Sequence, residues 1–339
     1  HAEGKFVARN EAELERLAQP EGVVPIGAKT DVREWLNLAA QWAEAIHDAN
    51  SLPQAAYDEI QPLLAKARAA LEADFQPFIR DRYGAVGYYE DNLGPVSITA
   101  VNRWLLEQRQ AGDRLALICF DGLALDQWYL LRAHLSDSLP GLKYTENRTY
   151  ALAPTVTSVS RQALFSGRPP AAFAETWART DKDAERWSAF WTNHNVAPRR
   201  VAHLTLQAAG QGLEELKLIA DSTNQRLGIL VDLFDEVMHG IKGMTPDSDK
   251  RVYYAALRAH LEGSRIREVF GVLLDHGYRG FVTADHGNIA GVGIGITPPK
   301  ALVESYARRV AIFDNAALAE GYAQQHELQA FRTKALPAT

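Results

Sequence analysis

At 339 residues the chain is long enough for one large domain and a smaller one, and its 47% hydrophobic and 23% charged residues are those of a soluble globular protein. The net charge of −6 gives no global attraction to nucleic acid, although a local patch such as Arg199-Arg200 can still guide a phosphate-bearing ligand. No run of about eighteen uncharged apolar residues predicts a membrane span, and His1-Ala2-Glu3-Gly4-Lys5 lacks the apolar core of a signal peptide, so a cytoplasmic protein without membrane contact is expected.

From about Asp31 to Arg82, Trp35, Leu38, Trp42 and Ile46 recur at helical spacing, with Pro53 and Pro62 as the strong interruptions. Residues 1–100 are therefore expected to form a helical N-terminal region, and residues 101–339 a second domain. From Arg114 the texture changes to short apolar runs alternating with amphipathic helices, the pattern of an α/β domain whose mostly parallel sheet carries helices on both faces. The runs are Leu115–Phe120, Leu227–Val231 and Gly280–Ala284. Cys119 lies inside the first, where a buried, inert thiol is expected. Leu125, Trp128, Leu131 and Leu135 mark one crossover helix; Val269, Val272, Leu273 and His276 mark another that should stop at Gly277. Gly243–Asp249 reads as a surface loop.

Each apolar run is followed by an aspartate: Asp121, then Asp235 with Asp232 on the way, then Asp285. Parallel sheets bind ligands beyond the carboxyl ends of their strands, so these acids are expected to converge on one crevice. The segment from Thr155 to Arg168 is rich in hydroxyls, then apolar, then closed by glycine, as a helix start able to attract phosphate would be. A threonine hydroxyl is a poor nucleophile until a base or metal lowers its pKa, so the segment needs partners. Asp235 and His239, four residues apart, share one face if their segment is helical, and Asp285-His286 directly follows a strand. Asp275-His276 repeats that dipeptide at a helix end and reads as a decoy.

These motifs, in this order, resemble the alkaline-phosphatase superfamily of phosphatases, phosphodiesterases, sulfatases and phosphoglycerate mutases. Within it, Leu117-Ile118-Cys119-Phe120-Asp121-Gly122, Ala153–Arg161 and Ala284-Asp285-His286-Gly287 resemble the PglZ domain of bacterial phage-defence (BREX) systems, from about Asn102 onward. The resemblance implies an alkaline-phosphatase-like core and places the nucleophile ten positions before Gly167, at Thr157, rather than Thr155, Ser158 or Ser160. It also implies two divalent metal ions, usually zinc. Asp121, Thr157, Asp285 and His286 would gather around one ion, and Asp235 and His239 would serve the other. The superfamily's further histidine has no clear counterpart: His326 sits in helical texture, and the chain is expected to stop before the usual final strand.

The implied activity is hydrolysis of a phosphoester, whether monoester, diester, nucleotide or DNA, with two ions about 3.5–4 Å apart and a phosphothreonine intermediate. Arg161, one turn after Thr157, would hold a phosphoryl oxygen or pair with Asp121 or Glu146. Other defence-system proteins are expected partners, and a catalytically weak assembly subunit is the alternative reading. A sulfatase is disfavoured, because threonine cannot be converted to formylglycine.

Overall fold

A computed structural model of the protein describes residues 31–89, 93–207, 213–241, 250–289, 295–299, 305–307, 310–313, 315–328 and 330, together with residues 12 and 15. The loop expected at Gly243–Asp249 lies outside the described residues. Four strands, β1 (Arg114–Phe120), β2 (Val201–Gln207), β3 (Arg226–Asp232) and β4 (Tyr278–Ala284), form one wholly parallel sheet in the order β2-β3-β1-β4. Register aligns Phe120 with both Val231 and Ala284, so Asp121, Asp232 and Asp285 leave the sheet side by side. A separate antiparallel pair, β5 (Ser305–Ala307) and β6 (Val310–Ile312), follows.

Alternation along β1 distributes its side chains to two cores. Ala116, Ile118 and Phe120 pack with α4 (Leu125–Ser138), α7 (Leu213–Ala220), α8 (Leu233–Gly240), α9 (Lys250–Gly263) and α10 (Ile266–Asp275). Leu115, Leu117 and Cys119 pack with α3 (Val101–Glu107), α5 (Thr157–Ser166) and α6 (Asp183–Asn193), where Phe165, Trp187 and Trp191 are wholly buried. Each such large apolar side chain contributes about 1.5–3 kcal/mol on burial, so the central strands are fixed firmly from both faces. Cys119 is fully buried, and burial raises its thiol pKa well above the ordinary value.

The N-terminal region is helical as expected. Asp31 begins α1 (Val32–Ala49) with a capping box in which the Asp31 N–H donates to Glu34. Pro62 does not interrupt the next helix, α2 (Gln54–Asp81); it lies inside it, as does Pro77. A proline removes one helical hydrogen bond, but burial of Ile60, Leu64, Ala67 and Phe78 against α1 holds the segment helical. The region is tied to the sheet domain by the Tyr150 hydroxyl, which donates to the Val32 carbonyl at 2.7 Å.

Two sequence expectations change in detail. The buried residues of α4 are Gln127, Tyr129, Leu130, Leu131 and Leu135, with Leu125 and Trp128 only half-buried, and α1 covers the side on which His47 meets Tyr129. Strand β2 was not foreseen: it is an edge strand in which only Leu204 and Leu206 are buried, so it lacks the continuous apolar run of its neighbours. A last helix, α11 (Ala316–Gln325), ends at His326.

Candidate metal and nucleophile site

The ends of β1 and β4 turn sharply into the crevice. Gly122 has φ +68°, a left-handed conformation that glycine adopts without the Cβ penalty, and a Cβ placed there would meet Asp235 Oδ1 at 3.7 Å and His286 Cε1 at 3.9 Å. Gly287 lets the second turn approach the first: a Cβ at that position would lie 3.4 Å from Ala124 Cα. Asn288 locks the turns together by donating to the Gly122 carbonyl at 2.6 Å and to Gln127 Oε1 at 2.8 Å. The buried Gln127 was missed at the sequence level, since a glutamine on a helix carries no motif.

Three predicted ligands meet here. Asp121, Asp285 and His286 are all buried and offer ligand atoms within 4.8 Å of one another, the only such trio among the described residues. Asp285 Oδ1 accepts from the backbone N–H groups of Gly122 (3.1 Å) and His286 (2.8 Å). Its Oδ2, and Oδ1 of Asp121, are buried without a hydrogen-bond partner. These orphaned acceptors lie 3.4 and 3.9 Å from His286 Nε2. Zinc bonds of about 2.0–2.1 Å in a tetrahedron separate ligand atoms by about 3.3 Å, so the oxygen, oxygen and nitrogen donors fit a divalent ion after a small contraction. Burial raises the pKa of both carboxyls; Asp121 adds to the rise at Asp285, and Asp235 to that at Asp121, against the opposing charges of Arg161 and His286.

The nucleophile predicted from the resemblance lies beside this trio. Thr157 is the first residue of α5, whose start no side chain caps, so its first N–H groups are left for a ligand. Thr157 Oγ1 stands 2.8 Å from His286 Nε2. Nδ1 of the same ring lies 2.7 Å from the Gly287 carbonyl, a pure acceptor, which makes Nδ1 the donor. In the neutral ring Nε2 therefore carries the lone pair, directed at the threonine hydroxyl and the acids. No histidine is adjacent to Thr157 in sequence, but the fold places His286 beside it in space.

Arg161 does not stand open for a phosphoryl group. Its Nε donates to Asp183 Oδ2 at 2.7 Å, its Nη1 to Asp121 Oδ2 at 3.2 Å, and its Nη2 to the Thr180 carbonyl at 2.8 Å. Burial opposes the guanidinium charge, yet Asp183 and then Asp121 hold its pKa above the ordinary value. Of the two ion-pair partners expected from sequence, Asp121 is realised. Glu146 is not, because it is engaged by Trp128 Nε1 at 2.9 Å and Arg132 at 2.6 Å. Asp183, the first residue of α6 and 3% exposed, was not anticipated; only its burial beside Arg161 distinguishes it from a surface acid at a helix start.

Asp235 and His239 do share one face of α8, with Nε2 of the histidine 3.4 Å from Asp235 Oδ2. Asp235 borders the crevice at Gly122, whereas the His239 side chain is 66% exposed. No third ligand joins them among the described residues. Asp232 lies between the two acid groups, its pKa pushed up to about 6 by burial and then by Asp121 and Asp235. His326 packs on Tyr322 at 4.4 Å, and the decoy His276 lies within hydrogen-bonding distance (2.9 Å) of the Val272 carbonyl; neither joins a three-ligand cluster among the described residues.

No curated protein matches the chain. Residues 101–295 match the family of the BREX system PglZ alkaline phosphatase-like domain. The match covers more than half of the 339 residues and contains all four strands of the parallel sheet and every member of the site just described. The chain belongs to the PglZ family, the alkaline phosphatase-like domain of BREX systems.

Proposed function

We propose that this protein is a metal-dependent phosphoester hydrolase whose nucleophile is Thr157, acting within a phage-defence complex. The observation that carries the reading is the 2.8 Å approach of Thr157 Oγ1 to His286 Nε2, beside two buried carboxylates with unpartnered oxygens. Asp121, Asp285 and His286 would hold one divalent ion, and Asp235 and His239 a second, zinc being the family's usual metal. Bound metal supplies the positive charge that lowers the pKa of the attacking hydroxyl and offsets charge on the phosphoryl oxygens.

The chain's own groups do the rest. Thr157 gives up its proton to water and attacks phosphorus, while the uncapped N–H groups of α5 receive a phosphoryl oxygen. The ester P–O bond breaks and its alcohol leaves with a proton from water as phosphothreonine forms; water then cleaves the Thr157–phosphorus bond, with two inversions giving net retention. Arg161 fixes the position of the Asp121 carboxylate from behind, and becomes a phosphate ligand only by exchanging one of its present partners. Substrates are monoesters or diesters, nucleotides and DNA among them, in a cytoplasmic setting.

Hydrolysis of p-nitrophenyl phosphate and bis-p-nitrophenyl phosphate, with zinc, manganese or magnesium and after chelation, tests the reading. Turnover that needs metal and vanishes in Thr157→Ala supports it; full activity after exhaustive chelation contradicts it. A second reading, an assembly subunit with weak catalysis, draws on the engagement of Arg161 by two acids and on the two-ligand Asp235–His239 pair. Under that reading Thr157→Ala leaves both the assembly and its defence phenotype intact.

A further inference from the structure

The turn after β1 and the turn after β4 are clasped at a single residue. Gly122 donates its N–H to Asp285 Oδ1 at 3.1 Å, and its carbonyl accepts from Asn288 Nδ2 at 2.6 Å. Both backbone groups of the residue next to Asp121 are thus taken up by the segment that carries Asp285 and His286. Gln127, in the first turn of α4 and 2% exposed, completes the clasp. Its Nε2 donates to Asn288 Oδ1 at 2.9 Å, and its Oε1 accepts from Asn288 Nδ2 at 2.8 Å and from the Ala124 N–H at 3.2 Å.

The backbone dictates how both amides point. A carbonyl only accepts, so the Asn288 group facing Gly122 is its NH2; an N–H only donates, so the Gln127 atom facing Ala124 is its oxygen. Each side chain then turns its remaining group to the other, and the two amides form a reciprocal pair. Neither carries charge. Asp121 and Asp285 are buried carboxylates that repel one another, a force that acts to part the two turns, and the amide pair opposes it without placing a further negative charge beside them.

We propose that Gln127 and Asn288 are positioning residues for the ion assigned to Asp121, Asp285 and His286, fixing the spacing of the two turns that carry its ligands. The inference rests on that metal site but not on hydrolysis. Neither amide is a ligand. They act through Gly122, whose left-handed turn sets the direction in which the chain leaves Asp121, and through the turn in which the Gly287 carbonyl holds the His286 ring. Removing groups that orient metal ligands typically lowers affinity by about 10–100-fold. Among the described residues neither amide bonds to α8, so the ion assigned to Asp235 and His239 should be indifferent to the pair.

Zinc affinity of the metal-stripped full chain, read by competition with a chromogenic chelator, tests it alongside circular dichroism and urea denaturation. Asn288 lies on a half-buried turn, so Asn288→Ala should fold; it is expected to hold the ion of Asp121, Asp285 and His286 about 10–100-fold more weakly and the other ion unchanged. Gln127→Met, which fills the same space without hydrogen bonds, should weaken the same ion. Because the amides act as one unit, the double variant should lose no more than about threefold beyond the worse single one. A clasp that serves stability alone would lower the urea midpoint of the metal-free protein and leave zinc affinity where it was. Unchanged affinity in a folded Asn288→Ala, equal loss at both ions, fully additive losses, or a wild type that takes up no zinc overturns the inference. Zinc held by the wild type and weakened in Asn288→Ala supports it even where neither nitrophenyl ester is turned over, a result that would overturn hydrolysis alone.

Discussion

The Thr157 hydroxyl and the His286 imidazole, 129 positions apart in the chain, meet at 2.8 Å because α5 starts beside the carboxyl end of β4. Thr157→Ala should therefore reduce phosphoester hydrolysis at least about a thousandfold, as loss of a nucleophile does. Thr157 is half-buried and its hydroxyl makes one hydrogen bond, so the melting free energy should change by no more than about 1 kcal/mol. Steady-state kinetics and a denaturation curve on the same preparation separate the two effects.

Metal titration into chelator-stripped protein should show one tight ion and one at least about tenfold weaker, because Asp235 and His239 supply two protein ligands where hydrolytic zinc sites have three. Asp285→Ala should lose the tight ion, Asp235→Ala only the weak one, and His326→Ala neither. Two equally tight sites, or an ion lost in His326→Ala, would show that the ligand assignment is wrong.

Arg161, its side chain 11% exposed, lies between Asp121 and Asp183, which are 6% and 4% exposed. Removing the guanidinium leaves two buried carboxylates unpaired, so Arg161→Ala should cost about 3–5 kcal/mol in the metal-free protein. Adding Asp183→Asn should restore part of that loss, giving a double-mutant coupling of about 1–3 kcal/mol in urea denaturation. Strict additivity would mean that the ion pair carries no stability.

His203 on β2 packs edge-on to Phe165 with ring centres 4.9 Å apart, and its Nε2 is buried without a partner. Burial, then the Arg161 charge, lowers its pKa from 6.5 to about 4. The unfolded chain thus binds a proton between those values that the folded chain does not. Stability attributable to this residue is complete above pH 6.5 and falls as the pH drops towards about 4, by roughly 2–3 kcal/mol. His203→Leu should flatten that part of the acid limb; equal slopes in the two proteins would contradict it.

The sequence by itself determined the central strands, the acids at their ends and the helix running from Thr157 to Gly167. Unbroken apolar runs, a following aspartate and a glycine at a helix end are local signals, set by burial and backbone sterics within a few residues. The adjacency of Asp285 and His286, and the shared face of Asp235 and His239, are local in the same sense. The edge strand β2 was invisible because only one of its faces is buried, and Pro62 misled because packing against α1 outweighs one lost hydrogen bond. Only the tertiary structure decided that Arg161 belongs to Asp183, that Gln127 and Asn288 clamp the two strand-end turns, and that His286 rather than a sequence neighbour faces the Thr157 hydroxyl. Those pairings join segments 22, 161 and 129 residues apart, and their partners are chosen by the parallel register and by the unmet hydrogen bonds of buried groups, neither of which exists until the sheet has assembled.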